Sequence, residues 1–135
     1  MKKTVLYSLL FPFTILASCG MNGTNEKTDQ ETPVVRNIDE AEALPMVNDS
    51  AVITIDVRTR AEVQEGYIDG ADLFIDYNGD FQMEIAKLDK TKTYLLYCRS
   101  GSRSTKAAEM MEAEGFKTIY LLRGGFSGWN GPVDF

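Results

Sequence analysis

The chain has 135 residues, a formal net charge of −6 and no histidine. The lack of histidine excludes Cys–His proteases, Ser–His hydrolases and most zinc sites, and we expect neither a metal nor a cofactor. Acidic residues outnumber basic ones, and nucleic acids are bound by basic surfaces. We therefore do not expect a nucleic-acid partner.

The first 18 residues have the pattern of a secretory signal peptide. Two lysines precede an apolar run that is interrupted by Pro12 and is shorter than the roughly 20 residues of a membrane span. The run ends in Leu16-Ala17-Ser18-Cys19, which resembles the lipobox of bacterial lipoproteins. That resemblance implies that Cys19 is lipidated and anchors the protein in the cell envelope, facing the periplasm. An ordinary cleaved signal peptide is the alternative.

Two further segments follow the predicted signal peptide of residues 1–18. Residues 19–33 are polar and poor in apolar side chains, so they are predicted to form a lipidated, flexible tether. Residues 34–135 have the usual length of one domain. We expect this domain to be a monomer.

Strand patterns alternate with helix patterns along the predicted domain. Such alternation is typical of an α/β domain with a mainly parallel central sheet. Apolar, β-branched runs predict strands at residues 34–36, 51–55, 73–77, 93–97 and 117–122. Helices are predicted at residues 39–47, ending near Pro45, at 59–66 after a capping box, at 81–88, at 105–114 and in a last turn that bears Trp129, with a turn at 67–71.

A loop that opens on a cysteine lies between the fourth strand and the last long helix. Its sequence is Cys98-Arg99-Ser100-Gly101-Ser102-Arg103. Backbone N–H groups at such a junction, together with the positive end of the helix dipole, form a cradle for an anion. The N–H groups, the dipole, Arg99 and Arg103 should all lower the pKa of the thiol. We therefore predict that Cys98 is a nucleophile, and its polar flanks argue against burial.

A second polar motif, Asp56-Val57-Arg58, follows the strand at residues 51–55. The carboxyl ends of parallel strands meet at one edge of a sheet, so we expect this motif to lie near Cys98. We assign a structural role to both charged residues. Asp56 is predicted to cap loop N–H groups, and Arg58 to form an ion pair with Glu62 or Glu65.

These motifs, in this order, resemble the rhodanese family of single-domain sulfurtransferases. One difference is that this chain has Gly66-Tyr67 where the family usually has Gly-His. The matching segments are Asp56-Val57-Arg58, Glu65-Gly66-Tyr67-Ile68-Asp69-Gly70-Ala71, the loop from Cys98 to Arg103, and Gly115-Phe116 followed by Leu122-Arg123-Gly124-Gly125-Phe126 and Trp129.

The resemblance implies a three-layer fold with helices on both faces of the sheet, and a persulfide mechanism at Cys98. A small anionic donor such as thiosulfate would deliver its outer sulfur to Cys98, sulfite would leave, and a thiophilic acceptor would then take the sulfur. The residues expected to bind the anionic substrate, through backbone N–H groups and two guanidinium groups, are Arg99, Ser100, Gly101, Ser102 and Arg103.

Two other functions remain open at this point. The first is a rhodanese-like module that carries sulfur or docks to a partner without turnover. The second is a cysteine phosphatase or arsenate reductase, which also uses a thiolate in an anion-binding loop. Tyrosine phosphatase loops place five residues between Cys and Arg, whereas four residues separate Cys98 from Arg103 in this chain. This spacing counts against the phosphatase.

Overall fold

The computed structural model describes residues 32–135. The predicted signal peptide, the lipidation site at Cys19 and most of the tether lie outside the described residues. No helix within residues 32–135 is long and apolar enough to cross a membrane.

A five-stranded, fully parallel sheet forms the centre of the fold, with the strand order β1-β6-β5-β2-β4. A separate antiparallel pair joins β3 to β7. The α/β class with a mainly parallel sheet is thereby confirmed. The strands are β1 (Val34–Ile38), β2 (Val52–Asp56), β3 (Tyr67–Ile68), β4 (Leu73–Phe74), β5 (Thr93–Tyr97), β6 (Thr118–Leu122) and β7 (Val133–Asp134).

Four α-helices and one 3₁₀ turn connect these strands. They are α1 (Glu40–Met46), α2 (Arg60–Gln64), α3 (Phe81–Ile85), α4 (Ser102–Ala113) and the 3₁₀ turn Phe126–Gly128. Capping boxes begin α1, from Asp39 to Glu42, and α2, from Thr59 to Glu62. In each box the side chains and backbone N–H groups of two residues satisfy one another, which stabilises a short helix at its first turn.

Two hydrophobic cores lie on opposite faces of the sheet, because side chains alternate along each strand. From β5, Tyr94 and Leu96 join the core that contains residues of α3 and α4. Leu95 and Tyr97 join the core that contains residues of α1 and Trp129. The sheet is therefore covered on both faces, as expected from a three-layer fold.

Several predicted elements differ from the observed ones. The last long helix begins at Ser102 rather than Thr105, because Gly101 precedes it with φ 112° and turns the chain directly into the helix. The strand predicted at 73–77 pairs with β2 only at two positions. The predicted turn at 67–71 contains β3, whose partner β7 lies more than sixty residues away in sequence. Helix α1 continues one residue past Pro45.

Strands β2 and β5 are neighbours, and this brings the two predicted motifs to one edge of the sheet. Asp56 lies opposite Tyr97 in the parallel register. The N–H of Val57 donates to the carbonyl oxygen of Tyr97 at 3.0 Å. Arg58 and Cys98 thus follow the two strands on the same side, as predicted.

The segment after β6 supports the cysteine loop through backbone hydrogen bonds. The N–H of Phe126 donates to the carbonyl of Cys98 at 2.8 Å, and the N–H of Ser127 donates to that of Arg99 at 2.9 Å. Gly125 leaves no room for a side chain beside the same carbonyls. A Cβ at Gly125 would lie 2.5 Å from the Cys98 oxygen and 2.7 Å from the Arg99 oxygen, and its φ is +58°.

We predict that Gly125→Ala destabilises the protein by about 2 kcal/mol or more, because the new methyl group would displace the cysteine loop. Gly128→Ala is the matched control, since its Cβ would come no closer than 4.0 Å to the nearest carbonyl. The control should lie within about 1 kcal/mol of wild type. Urea unfolding of the two variants checks this, and equal free energies of unfolding would contradict it.

Candidate active site

Cys98 lies at the end of β5, with its side chain turned into the loop that precedes α4. The thiol is buried, with only 1% of the residue exposed. Its Sγ accepts a hydrogen bond from the N–H of Gly101 at 3.1 Å, and the Ser104 hydroxyl lies 3.6 Å away. The expectation that polar flanks keep Cys98 from being buried was therefore wrong. The sulfur is enclosed by the loop backbone and Ser104, whereas the side chains of Arg99, Ser100 and Ser102 are exposed.

The pKa of the Cys98 thiol is held below its ordinary value, although two opposing effects act on it. Burial raises the pKa, since a thiolate loses hydration there. The N–H and hydroxyl of Ser104, and the N–H groups of Gly101 and Ser100, lower it by more. The main causes of the lowering are thus backbone N–H groups and Ser104. The negative charge of Cys98 is one of the causes that raise the pKa of Arg103, so the expected attraction between the Arg103 guanidinium and the thiolate is present, although it is not among the main causes of the Cys98 shift.

Gly101 shapes the loop and begins helix α4. Its φ of 112° is rarely adopted by residues with a side chain. The Gly101 carbonyl accepts hydrogen bonds from the Ser104 hydroxyl at 3.0 Å and from the Thr105 hydroxyl at 2.8 Å. This geometry points the N–H groups of Gly101, just before the helix, and of Ser104, in its first turn, at the sulfur. Gly101 is thus required by the loop conformation.

Arg103 forms a two-point ion pair with Glu62 of helix α2. The guanidinium donates to the two carboxylate oxygens at 2.7 and 2.8 Å. The side chains are 23% and 18% exposed. The pair lowers the pKa of Glu62 to about 2, with Arg103 as the largest cause and burial opposing it. The predicted role of Arg103 as an anion ligand stays a prediction, and its charge is compensated in this structure.

Arg58 pairs with Asp56, and the expected ion pair with Glu62 or Glu65 does not form. Its Nη2 lies 2.6 Å from the Asp56 carboxylate, and the two side chains are almost completely buried. The guanidinium also donates to the carbonyl of Gly66 at 2.7 Å and lies 4.0 Å from the centroid of the Phe126 ring. The predicted capping by Asp56 is observed, since the Arg58 N–H donates to Asp56 at 2.9 Å.

The remaining predicted substrate-binding residues lie on the outer side of the loop. Arg99, Ser100 and Ser102 are exposed. Arg99 also lines an open cavity of about 340 Å³ beside the loop, together with Arg58, Glu65, Phe126 and Ser127. All five predicted substrate-binding residues are therefore close in sequence and space to Cys98, and their binding roles stay predictions.

Two residues in direct contact with the loop were missed by the sequence analysis as site residues. The hydroxyl of Ser104 contacts the sulfur. The sequence pattern that could have predicted this contact is the position of Ser104 in the first turn of the helix after the loop, where a hydroxyl can point back at the cysteine. Glu62 was recognised as part of a capping box, but its pairing with Arg103 joins positions 41 residues apart.

Within residues 32–135 no group of three or more acidic or cysteine side chains could hold a metal ion.

This arrangement can supply a thiolate nucleophile without a separate general base. The loop N–H groups stabilise negative charge on Sγ, and they can equally stabilise negative charge on an atom bound to it. A nucleophile of this kind suits reactions in which the attacking sulfur needs no proton removed in the transition state.

We predict that Ser104→Ala raises the pKa of the Cys98 thiol, because the variant removes one of the groups that favour the thiolate. Thr105→Ala is a matched control, since it also removes a hydroxyl bonded to the Gly101 carbonyl but leaves the sulfur untouched. The pH dependence of thiol alkylation measures both variants. Identical alkylation midpoints for Ser104→Ala and wild type would contradict the prediction.

Comparisons with known proteins agree with the geometry. The family profile described as "Rhodanese-like domain" matches residues 39–132. The Bacillus subtilis (strain 168) protein YtwF, to which a sulfurtransferase activity is provisionally assigned, is 40% identical over 85 residues, covering 63% of this chain and 80% of that protein. A Coxiella burnetii (strain RSA 493 / Nine Mile phase I) protein named "Thiosulfate sulfurtransferase GlpE" is 33% identical over 94 residues, covering 70% and 86%.

A solved structure gives the same result for the fold. The crystal structure of a rhodanese-like domain protein from Staphylococcus aureus is 27% identical, with a TM-score of 0.65, and the match covers 74% of this chain and 97% of that one. The profile match spans well over half of the chain, and the cysteine loop, the parallel sheet and the sulfurtransferase-named relatives are all consistent with it. This chain belongs to the rhodanese-like domain family.

Proposed function

We propose that the protein is a sulfurtransferase that moves sulfane sulfur from a donor such as thiosulfate to a thiophilic acceptor through a persulfide on Cys98. The observation that carries this proposal is the convergence of loop N–H groups and the Ser104 hydroxyl on the Cys98 sulfur, which lowers the pKa of the thiol. A thiolate at neutral pH is the first requirement of the reaction.

Transfer of sulfur from thiosulfate to Cys98 needs no catalytic group outside the cysteine loop. The Cys98 thiolate attacks the outer sulfur of thiosulfate, a new S–S bond forms, and the old S–S bond breaks. The electron pair of the broken bond leaves with sulfite. The outer sulfur of the resulting persulfide carries negative charge, and the N–H groups that served the thiolate can stabilise it in turn.

Two observations support a nucleophile over an inert core cysteine. First, the sulfur accepts hydrogen bonds from donors placed by a glycine of positive φ and a helix N-terminus, whereas a filler cysteine needs no such donors. Second, relatives of this chain are named as sulfurtransferases. A sulfur-carrier role needs the same persulfide, so it is a variant of the proposal. The four-residue interval between Cys98 and Arg103 continues to disfavour a phosphatase.

Intact mass spectrometry before and after incubation with thiosulfate tests the proposal. We expect the protein to gain the mass of one sulfur atom, to lose it on adding cyanide, and to gain nothing in the Cys98→Ser variant. Steady-state release of thiocyanate would separate turnover from carriage. Absence of any mass gain, from thiosulfate or from polysulfide, would contradict the mechanism, and phosphate release from a phosphotyrosine analogue would favour the phosphatase.

We also propose that Cys19 is lipidated and holds the domain at a bacterial membrane, facing the periplasm. The support for this is the lipobox-like Leu16-Ala17-Ser18-Cys19 after an apolar run. Metabolic labelling with palmitate should mark the wild-type protein and should not mark Cys19→Ser. A wild-type protein that stays unlabelled, and is released without its signal, would favour the ordinary cleaved signal peptide.

A further inference from the structure

The carboxylate of Glu62 links helix α2 to the start of helix α4. Its two oxygens accept hydrogen bonds from the Arg103 guanidinium at 2.7 and 2.8 Å. One of these oxygens also accepts hydrogen bonds from the N–H of Thr59 at 3.1 Å and from the Thr59 hydroxyl at 3.0 Å, as part of the capping box of α2. Arg103 is therefore paired with a carboxylate that is itself held in place by the first turn of α2.

The charge of Arg103 acts on Cys98 as well as on Glu62. Glu62 is the largest cause that raises the pKa of Arg103, and the negative charges of Cys98 and Asp76 raise it further, while burial opposes them. Within residues 32–135 Glu62 is the carboxylate that lies within ion-pair distance of Arg103. Arg103 is thus close enough to act on a charged ligand at the sulfur, and Glu62 offsets most of that action.

The pairing of Glu62 with Arg103 persists throughout the neutral pH range. The hydrogen bond from Arg103 is the main cause that lowers the pKa of Glu62 to about 2, so the carboxylate is charged at neutral pH. Arginine does not lose its proton in proteins. The two side chains are only 23% and 18% exposed, so the pair is partly shielded from water. The cancellation of charge beside the cysteine loop is therefore a fixed property of the site.

We propose that Glu62 is a specificity-determining residue, which cancels the charge of Arg103 and so prevents the cysteine loop from attracting anions by charge alone. Ligands are then selected by their fit to the loop N–H groups and the Ser104 hydroxyl. Sulfate and hydrogen phosphate carry the same charge as thiosulfate but have no transferable sulfur, and a strongly cationic loop would bind them as well. Glu62 limits this competition.

The charge at Cys98 can be measured without sulfur transfer, so the test is independent of the proposed function. Iodoacetate and iodoacetamide both alkylate a thiolate, and only iodoacetate carries a negative charge. The ratio of their second-order rate constants at one pH cancels the thiolate fraction of Cys98. The ratio therefore measures how strongly the site attracts an anion. Peptide mass spectrometry follows alkylation at Cys98 in the full-length protein.

We expect Glu62→Gln to raise the ratio of the iodoacetate to the iodoacetamide rate constant about fivefold at low salt, because Arg103 loses the charge that cancels its own. Glutamine can replace glutamate in a capping box, so α2 should keep its first turn. In about 1 M salt, where the Debye length is about 3 Å, the increase should shrink toward the wild-type ratio. The pH midpoint of alkylation by iodoacetamide should fall in the same variant, since an uncompensated guanidinium favours the thiolate.

Two further variants separate the cancellation of charge from the placement of Arg103. Arg103→Gln should lower the ratio, because Glu62 is left without its counter-charge. The double variant, with Glu62→Gln and Arg103→Gln, should have a ratio close to that of wild type, since it removes one charge of each sign.

Glu42→Gln is the matched control. Glu42 also completes a capping box, at the start of α1, and it also pairs with an arginine, Arg36, at 2.9 Å. Arg36 lies on the edge strand β1, which β6 separates from β5. The control variant removes the same charge from the same kind of contact away from the loop, and it should leave the ratio unchanged.

A ratio that falls or stays unchanged in Glu62→Gln would overturn the inference. If it falls, and the double variant matches Arg103→Gln, Glu62 instead places Arg103 as an anion ligand. If circular dichroism shows that Glu62→Gln does not fold, the comparison of the double variant with Arg103→Gln decides between the same two outcomes. Failure of the proposed function looks different, because wild type would then accept no sulfur from thiosulfate or polysulfide while the alkylation ratios kept their pattern.

Discussion

The structure depends on how a nearly buried sulfur anion is stabilised without bulk water. The thiolate of Cys98 would be costly at 1% exposure unless hydrogen-bond donors replaced its hydration. The donors are the backbone of the loop and the first turn of α4, with the Ser104 hydroxyl beside them. This requirement explains why Gly101 has a positive φ and why the helix begins at Ser102, since a longer loop would point these donors elsewhere.

One ion pair and two backbone hydrogen bonds hold that loop in place, and a second, buried ion pair lies at the end of the neighbouring strand β2. The pair of Asp56 with Arg58 ties the end of β2 to the segment at Gly66, and the pair of Glu62 with Arg103 ties α2 to α4. A buried pair of this kind contributes little net stability, but loss of one partner strands a charge, so its main effect is on geometry. On the other side, Gly125 lets the backbone approach the loop closely enough to bond its carbonyls.

The same ion pairs decide which charges remain for a ligand. A list of the basic residues in the loop suggests a strongly cationic site, suited to a dianion. In the structure Arg103 is paired with Glu62 and still interacts with the charge of Cys98, whereas Arg58 is paired with Asp56. The adjoining cavity is lined by Arg99 and Glu65 together with Arg58, whose partner is Asp56.

Features that depend on neighbours along the chain could be predicted from the amino-acid sequence alone. Patterns of a few residues predict the alternation of strands and helices, the Thr59 capping box and the two strand-end motifs, one of which opens on Cys98. The folded structure was needed to establish the burial of Cys98, the partner of Arg58, the pairing of Glu62 with Arg103 and that of β3 with β7. Except for the pair of Arg58 with Asp56, the pairings join positions that are distant in sequence. A charged side chain with several candidate partners pairs with the one that packing brings within reach. For Arg58 the nearest carboxylate was two residues away, and burial at the end of β2 made that pair the one that forms.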